Sequence, residues 1–183
     1  MKQQGGFSLV ELMVAMVIGL IIILGAGQLF LTVFQTNRQV ETLSEKQAAV
    51  NFAVETLLRD IRRAEDGSIN VNSDGDELSL RVQNRNDVNA SCAMVDKVYR
   101  LSLNEVSPRE GWALEVGQAC AGAAINNFPQ IVASLEADGF SVDDSDADIG
   151  IWLVTLELMA TGQGGTPDEL VFHAVNRTAA VTN

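Results

Sequence analysis

The 183-residue chain has little of what metal and catalytic sites are made from: one histidine (His173), two cysteines (Cys92 and Cys120) and three prolines. That leaves little material for a His/Cys zinc centre, whose ligands are drawn from those residue types. No G-x-S-x-G, H-E-x-x-H or P-loop occurs, so the common hydrolase, zincin and nucleotide signatures are absent. Basic side chains are also scarce, 12 against 24 acidic, for a formal charge of −12. A nucleic-acid binder needs a basic face to displace counterions, and this balance excludes that class. Charge is scarcest from Leu12 to Phe34, 23 residues without a single ionisable group.

What fills that gap is apolar. Residues 7–34 read FSLVELMVAMVIGLIIILGAGQLFLTVF, behind a short polar leader, MKQQGG, with one positive charge at Lys2. A bilayer crossing needs about 20 apolar residues, and a core helix rarely stays apolar on every side for so long. A secretory signal has a shorter run, roughly 7–15 residues, followed by a cleavage site; here the pattern continues as helix. Gly19, Gly25 and Gly27 lie within the run. They suit either close helix packing in lipid or a place where the helix bends.

Beyond residue 34 the pattern becomes one-sided. Val40, Leu43, Gln47, Val50, Val54, Leu57, Ile61 and Ala64 recur at alternating spacings of three and four, with Glu41, Glu45, Lys46, Glu55, Arg59, Asp60, Arg62 and Arg63 between them. This is the stripe of an amphipathic helix. Neither proline nor glycine occurs from Gln28 to Asp66, and Gly67 supplies a stop. A helix from about residue 8 to 66 would be about 90 Å long.

After Gly67 the periodicity changes to strands. Glu77–Gln83, Lys97–Leu103 and Ile151–Met159 alternate; Trp112–Val116, Phe128–Leu135 and Gly139–Val142 do so more weakly. Leu170–Val175 fits a last strand or a short helix, and Asn70–Asp76 is a turn cluster. One helix followed by a run of strands is the α+β pattern, and the short connections predict antiparallel order. The predicted organisation is a leader (1–6), an apolar helix (7–34), an amphipathic helix half (35–66) and a β-rich domain (67–183). Charge follows that division: residues 1–66 sum to −1 and residues 67–183 to −11.

Glu11 sits at the edge of the apolar run, where a carboxylate needs the helix N-terminus or a cationic partner. The stretch Gly6-Phe7-Ser8-Leu9-Val10-Glu11-Leu12 resembles the processing site of type IV pilins and of the related pseudopilins of type II secretion. The resemblance implies cleavage after Gly6 by a prepilin peptidase, N-methylation of Phe7, and docking of Glu11 on the Phe7 amine of a neighbouring subunit. Asn51–Ala64, Asp76–Val82, Tyr99–Leu101 and the strand from Ile151 are similar to PilW-type minor pilins. That implies a pilin fold, a long helix on an antiparallel sheet, in a non-enzymatic subunit that primes pilus assembly or sits at the tip. Implied partners are other minor pilins, the major pilin, the peptidase and the inner-membrane assembly platform. Implied location is the inner membrane with a periplasmic C-terminal domain, then the cell surface. A J-type minor pseudopilin, or an adhesin displayed on the same anchor, shares the plan.

A periplasmic domain would let Cys92 and Cys120 oxidise to a structural disulfide, with two free thiols as the alternative. Their spacing is too wide for C-x-x-C redox chemistry. The acidic run Asp143–Asp148 and the Asn70–Gly75 cluster start like calcium loops, but Thr155 and Arg81 stand where the closing carboxylate belongs. Both read as solvated turns, so neither a metal nor a cofactor is expected, and His173 reads as structural.

Overall fold

The computed structural model describes residues 8–85, 87–88, 91–103, 111–160 and 166–177. The chain divides into two compact units, Met1–Glu45 and Lys46–Asn183. Helix α1 (Leu9–Arg63) begins in the first and ends in the second. It is α-helical throughout, including at Gly19, Gly25 and Gly27, so the glycines do not interrupt it.

In the first unit the helix buries nothing. Large apolar side chains from Leu9 to Phe34 are exposed on every side. This is the one described helix long and apolar enough to cross a membrane. Two of its hydroxyls are satisfied locally: those of Thr32 and Thr36 donate to the carbonyls of Gln28 and Thr32, at 3.0 and 2.9 Å. In a medium without water this leaves neither hydroxyl hydrogen unpaired.

The second unit is a curled, seven-stranded antiparallel sheet packed on the C-terminal part of α1. Its strands are β1 (Asn70–Val71), β2 (Glu77–Gln83), β3 (Met94–Leu103), β4 (Trp112–Cys120), β5 (Gln130–Asp143), β6 (Ile151–Leu158) and β7 (Asp168–Val175). They follow one another in the sheet in chain order, as short connections require. Alternation fixes the core face. Leu78, Leu80 and Val82 of β2 and Trp152, Val154 and Leu156 of β6 point inward, against Ala53, Leu57 and Ile61 of the helix and Ala64 just after it, which bridges to Val82. The expected α+β class is therefore observed.

The buried helix face differs in phase from the expected stripe. Ala53, Thr56, Leu57, Asp60, Ile61 and Ala64 are buried, while Val40 and Leu43 remain 60% and 47% exposed. Asp60, expected on the polar side, is fully buried, because charged partners on the sheet meet it there. The C-terminal end of α1 is fixed from β7: the Asn176 side-chain amide donates to the carbonyls of Ile61 and Ala64, at 3.0 and 3.1 Å. Carbonyls at the end of a helix run short of intrahelical donors; Ile61 O accepts besides only a long bond from Ala64 N, 3.3 Å.

Strand ends also differ from expectation, each for a local reason. Trp112–Val116 extends through Cys120 because Gly117 lies beneath Ile125 and Phe128; a Cβ there would fall 2.4 Å from Ile125 Cγ2. The expected strands Phe128–Leu135 and Gly139–Val142 fall largely in one strand, β5, which starts only at Gln130 and has irregular register against β4 and β6. Ser134 holds φ 61°, and a Cβ on Gly139 would meet the Glu157 carbonyl at 2.5 Å. These bulges shift the inward-facing residues by one and so erase the period-two signal. Asn70–Val71 pairs as a two-residue strand within the expected turn cluster. Leu170–Val175 is a strand, paired with β6 along its length.

Candidate functional site

Two features of the structure carry chemistry: the exposed apolar helix with its one carboxylate, and a buried ionic cluster that anchors the helix to the sheet.

Glu11 lies in the first turn of α1, and Leu12 N donates to Ser8 O at 3.2 Å, so the helix is formed from there. Its carboxylate is exposed. A negative charge in the first turn complements the free N–H groups and dipole of the helix start. Leu9, Val10, Leu12, Met13 and Val14 flank it in sequence, so in hydrocarbon it also requires a cation. Gly6 and Phe7, the expected processing and methylation residues, lie outside the described residues. Further along the same unit, Phe34 stacks near Phe30 and carries the Arg38 guanidinium 4.7 Å above its ring. The apolar surface therefore ends at a cation held against an aromatic face.

The ionic cluster is built from α1, β3 and the loop between β2 and β3. Lys97 occupies an inward position of β3 between Val95 and Tyr99, with its side chain 4% exposed. Its ammonium donates to Asp60 Oδ2 and to Asp87 Oδ1, both at 2.9 Å. The Tyr99 hydroxyl donates to the same Asp60 oxygen at 2.7 Å. Arg63, one turn along the helix from Asp60, donates to Asp60 Oδ1 at 3.1 Å and reaches both oxygens of Asp87 at 3.0 Å. Asp60 and Asp87 thus balance Lys97 and Arg63, leaving the core site neutral.

Electrostatics follow from that balance. Burial alone would push the Asp87 carboxyl up, but hydrogen bonds from Lys97 and Arg63 outweigh it and hold its pKa at about 2. Burial, reinforced by the neighbouring Asp60 carboxylate, raises the Tyr99 phenol well above its ordinary value, so it remains a donor. Breaking such a pair is expensive because the surviving charge stays buried. Among the described residues each of these charged groups is spent on another, across helix, strand and loop, so the arrangement is an anchor. Sequence reasoning missed it. Its traces were a lysine in phase with Val95 and Tyr99, and an aspartate between Leu57, Ile61 and Ala64.

Cys92 and Cys120 form a disulfide, with Cα atoms 5.7 Å apart. Cys120 pairs with Val95 in the sheet, so the bridge ties the entry of β3 to the end of β4. Outside it, cross-strand pairs Arg81–Asp96 and Arg100–Glu115 close at 2.6 and 3.1 Å. The Arg100 guanidinium also stacks 3.7 Å above the Phe128 ring and holds the loop before β5 on the sheet. The acidic run after β5 is exposed; Ser145 N donates to Asp143 at 2.8 Å, and a short 3-10 turn follows at Ala147–Ile149. Among the described residues, no group of three or more His, Cys, Asp or Glu side chains is placed to hold a metal ion. His173 is exposed on β7.

Residues 1–27 match the family described as the prokaryotic N-terminal methylation motif. No curated protein and no solved structure gives a significant match to the chain. The motif supports a type IV pilin-like or pseudopilin-like protein, a structural class processed by a prepilin peptidase. The apolar helix is consistent with membrane anchoring.

Proposed function

We propose that the chain is a minor pilin, a subunit that helps initiate type IV pilus assembly or sits at the pilus tip. The observation that carries this reading is the methylation motif at residues 1–27 continuing into a helix exposed on all sides from Leu9 to Phe34. Such a surface is stable only in lipid or against like helices. In this reading the peptidase removes residues 1–6, and Phe7 becomes the N-methylated first residue. The helix rests in the inner membrane with the β-rich domain in the periplasm, where Cys92 and Cys120 can oxidise. On extraction, the apolar helix enters a filament core beside the major pilin and other minor pilins, through the membrane assembly platform. There Glu11 pairs with the Phe7 amine of its neighbour. In an apolar medium two opposite charges strongly favour the one register that joins them.

Two measurements test this. After co-expression with a prepilin peptidase, mass spectrometry of the N-terminus should find a methylated Phe7; an intact Met1 or a cut elsewhere contradicts the reading. Glu11→Ala should leave cleavage intact and reduce piliation by about tenfold or more, as loss of a desolvated ion pair requires. Unchanged piliation removes the docking role. If deletion of the chain abolishes protein secretion and spares piliation, the J-type pseudopilin reading replaces it.

A further inference from the structure

The chain's scarcest charge is concentrated in one place. A groove of about 430 Å³ on the globular unit is lined by Arg59, Arg62, Arg63, Arg85 and Arg177 around Leu58, with Glu55 the one acidic lining residue among those described. These are five of the chain's nine arginines. Arg63 is committed to Asp60 and Asp87, and Arg59 leans toward Asp60 at 3.5 Å. Arg62, Arg85 and Arg177 are exposed, and none has a carboxylate of the described residues within ion-pair distance. Glu55, spaced to pair with Arg59, does not do so. Two arginines in the last turn complement the helix dipole, but that does not account for Arg85 and Arg177, which come from other parts of the chain.

A small free anion is poorly served here. The groove is open to water, and each exposed guanidinium–anion pair contributes little on its own. Several carboxylates on one rigid partner suit it better, because planar guanidinium forks recognise carboxylates bidentately. The apolar floor at Leu58 favours a partner that also brings an apolar side chain.

The same chain carries that complement. Asp143, Asp144 and Asp146 are exposed, and the adjacent Ile149 is 55% exposed. The segment is already ordered by the Ser145 hydrogen bonds to Asp143 and by Gly150 in the left-handed conformation. Asn176 N donates to Gly150 O at 2.9 Å, and Arg177 N to Arg62 O at 3.3 Å. The base of the acidic loop and the groove therefore share one end of the β6–β7 pair. Within a single chain, Asp143, Asp144 and Asp146 lie beyond ion-pair distance of these arginines. Adjacent patches of opposite sign, unpaired with each other, are self-complementary under a twofold axis.

We propose that the arginine groove docks the Asp143–Ile149 loop of a second copy of this chain, in a reciprocal pair. This goes beyond the pilin reading and does not depend on it.

The test is a charge swap in the full chain, solubilised in detergent and followed by sedimentation. The unmodified chain should self-associate, and association should weaken at least about tenfold between about 50 and about 500 mM salt. Arg62→Glu/Arg85→Glu reverses the groove; Asp143→Lys/Asp144→Lys/Asp146→Lys reverses the loop. Each variant alone should be monomeric, with far-ultraviolet dichroism and melting like the parent. An equimolar mixture of the two should associate again, because each loop then faces a groove of opposite charge. Persistent association of either variant alone, or no association in the mixture, overturns the proposal. So does a monomeric parent that binds phosphatidylglycerol vesicles through Arg62 and Arg85, since the groove would then be a lipid headgroup site. Leader cleavage in the same cells reports on the pilin assignment separately.

Discussion

From Leu9 to Phe34, leucine, isoleucine and valine stand exposed around a helix; from Ala53 to Ala174, the same residue types are buried between helix and sheet. Composition does not separate the two regions, since both are rich in aliphatic residues. What differs is where the polar partners are. In the first region the backbone and the Thr32 hydroxyl are satisfied within their own turns, so apart from Glu11 the helix asks little of any protein around it and suits a medium without water. In the second, charged groups find partners from distant parts of the chain, and a core forms around them. Apolar surface alone makes a helix greasy; long-range polar pairing gives the second region one specific packing.

The most severe way to break this contrast is to remove Asp60. Asp60→Ala takes the Asp60 acceptor from the buried Tyr99 hydroxyl and leaves the buried Lys97 ammonium and Arg63 with Asp87 alone, two cations against one carboxylate, and the globular unit should lose about 3–5 kcal/mol. Urea unfolding followed by Trp112 and Trp152, the only tryptophans, reads that loss without signal from the apolar helix. The next largest effect is at the crosslink. Cys92→Ser/Cys120→Ser, opening a loop with a sequence separation of 28, should cost about 3–4 kcal/mol in the chain-entropy model. An unchanged midpoint would show that sheet pairing alone holds β3 to β4.

A smaller effect is set by pH. The Asp87 carboxyl lies at about 2 against an ordinary 3.8. A depressed carboxyl contributes stability that is fully present above its unfolded value and is lost as pH falls through its folded value. The globular unit should therefore lose about 1–2 kcal/mol between roughly pH 4 and pH 2, after allowance for partial exposure. Asp87→Asn should remove that slope; a slope of the same size in the variant would assign it to other carboxylates. The smallest expected effect sharpens the boundary between the regions. Val40→Ala, at an exposed position, should change stability by under about 0.5 kcal/mol, whereas Leu57→Ala should cost about 2–5 kcal/mol. Equal effects would mean that the stripe from Val40 to Ala64 is buried along its whole length.

Much of the fold was readable in the residues. The helix was visible in its apolar run and its later three-and-four spacing; its end was expected too late, at Gly67, because the chain leaves the helix after Arg63 and Ala64 pairs with Val82. Strands β2 and β6 were visible because Leu78, Leu80, Val82 and Trp152, Val154, Leu156 alternate without interruption. β5 was not, because bulges near Ser134 and Gly139 move its inward residues out of step. β4 was cut short because Gly117 has no strand propensity of its own and is needed only to seat Ile125 and Phe128. The candidate docking residue Glu11 was legible because a lone carboxylate in an apolar run is conspicuous. Lys97 and Asp60 were not, because a charged residue is ordinarily read as solvent-facing.

By itself the sequence determined whatever depends on the chain's own period: an apolar helix, its amphipathic continuation, a set of alternating strands, and an acidic excess confined to residues 67–183. Periodicity is local, since neighbours three, four or two residues apart settle it. Only the tertiary structure decided which helix face is buried, that a lysine belongs in the core, and that five arginines share one groove. Each of these rests on residues far apart in sequence, Lys97 and Asp60 by 37 positions. A buried charge is tolerated only where its partner arrives in space.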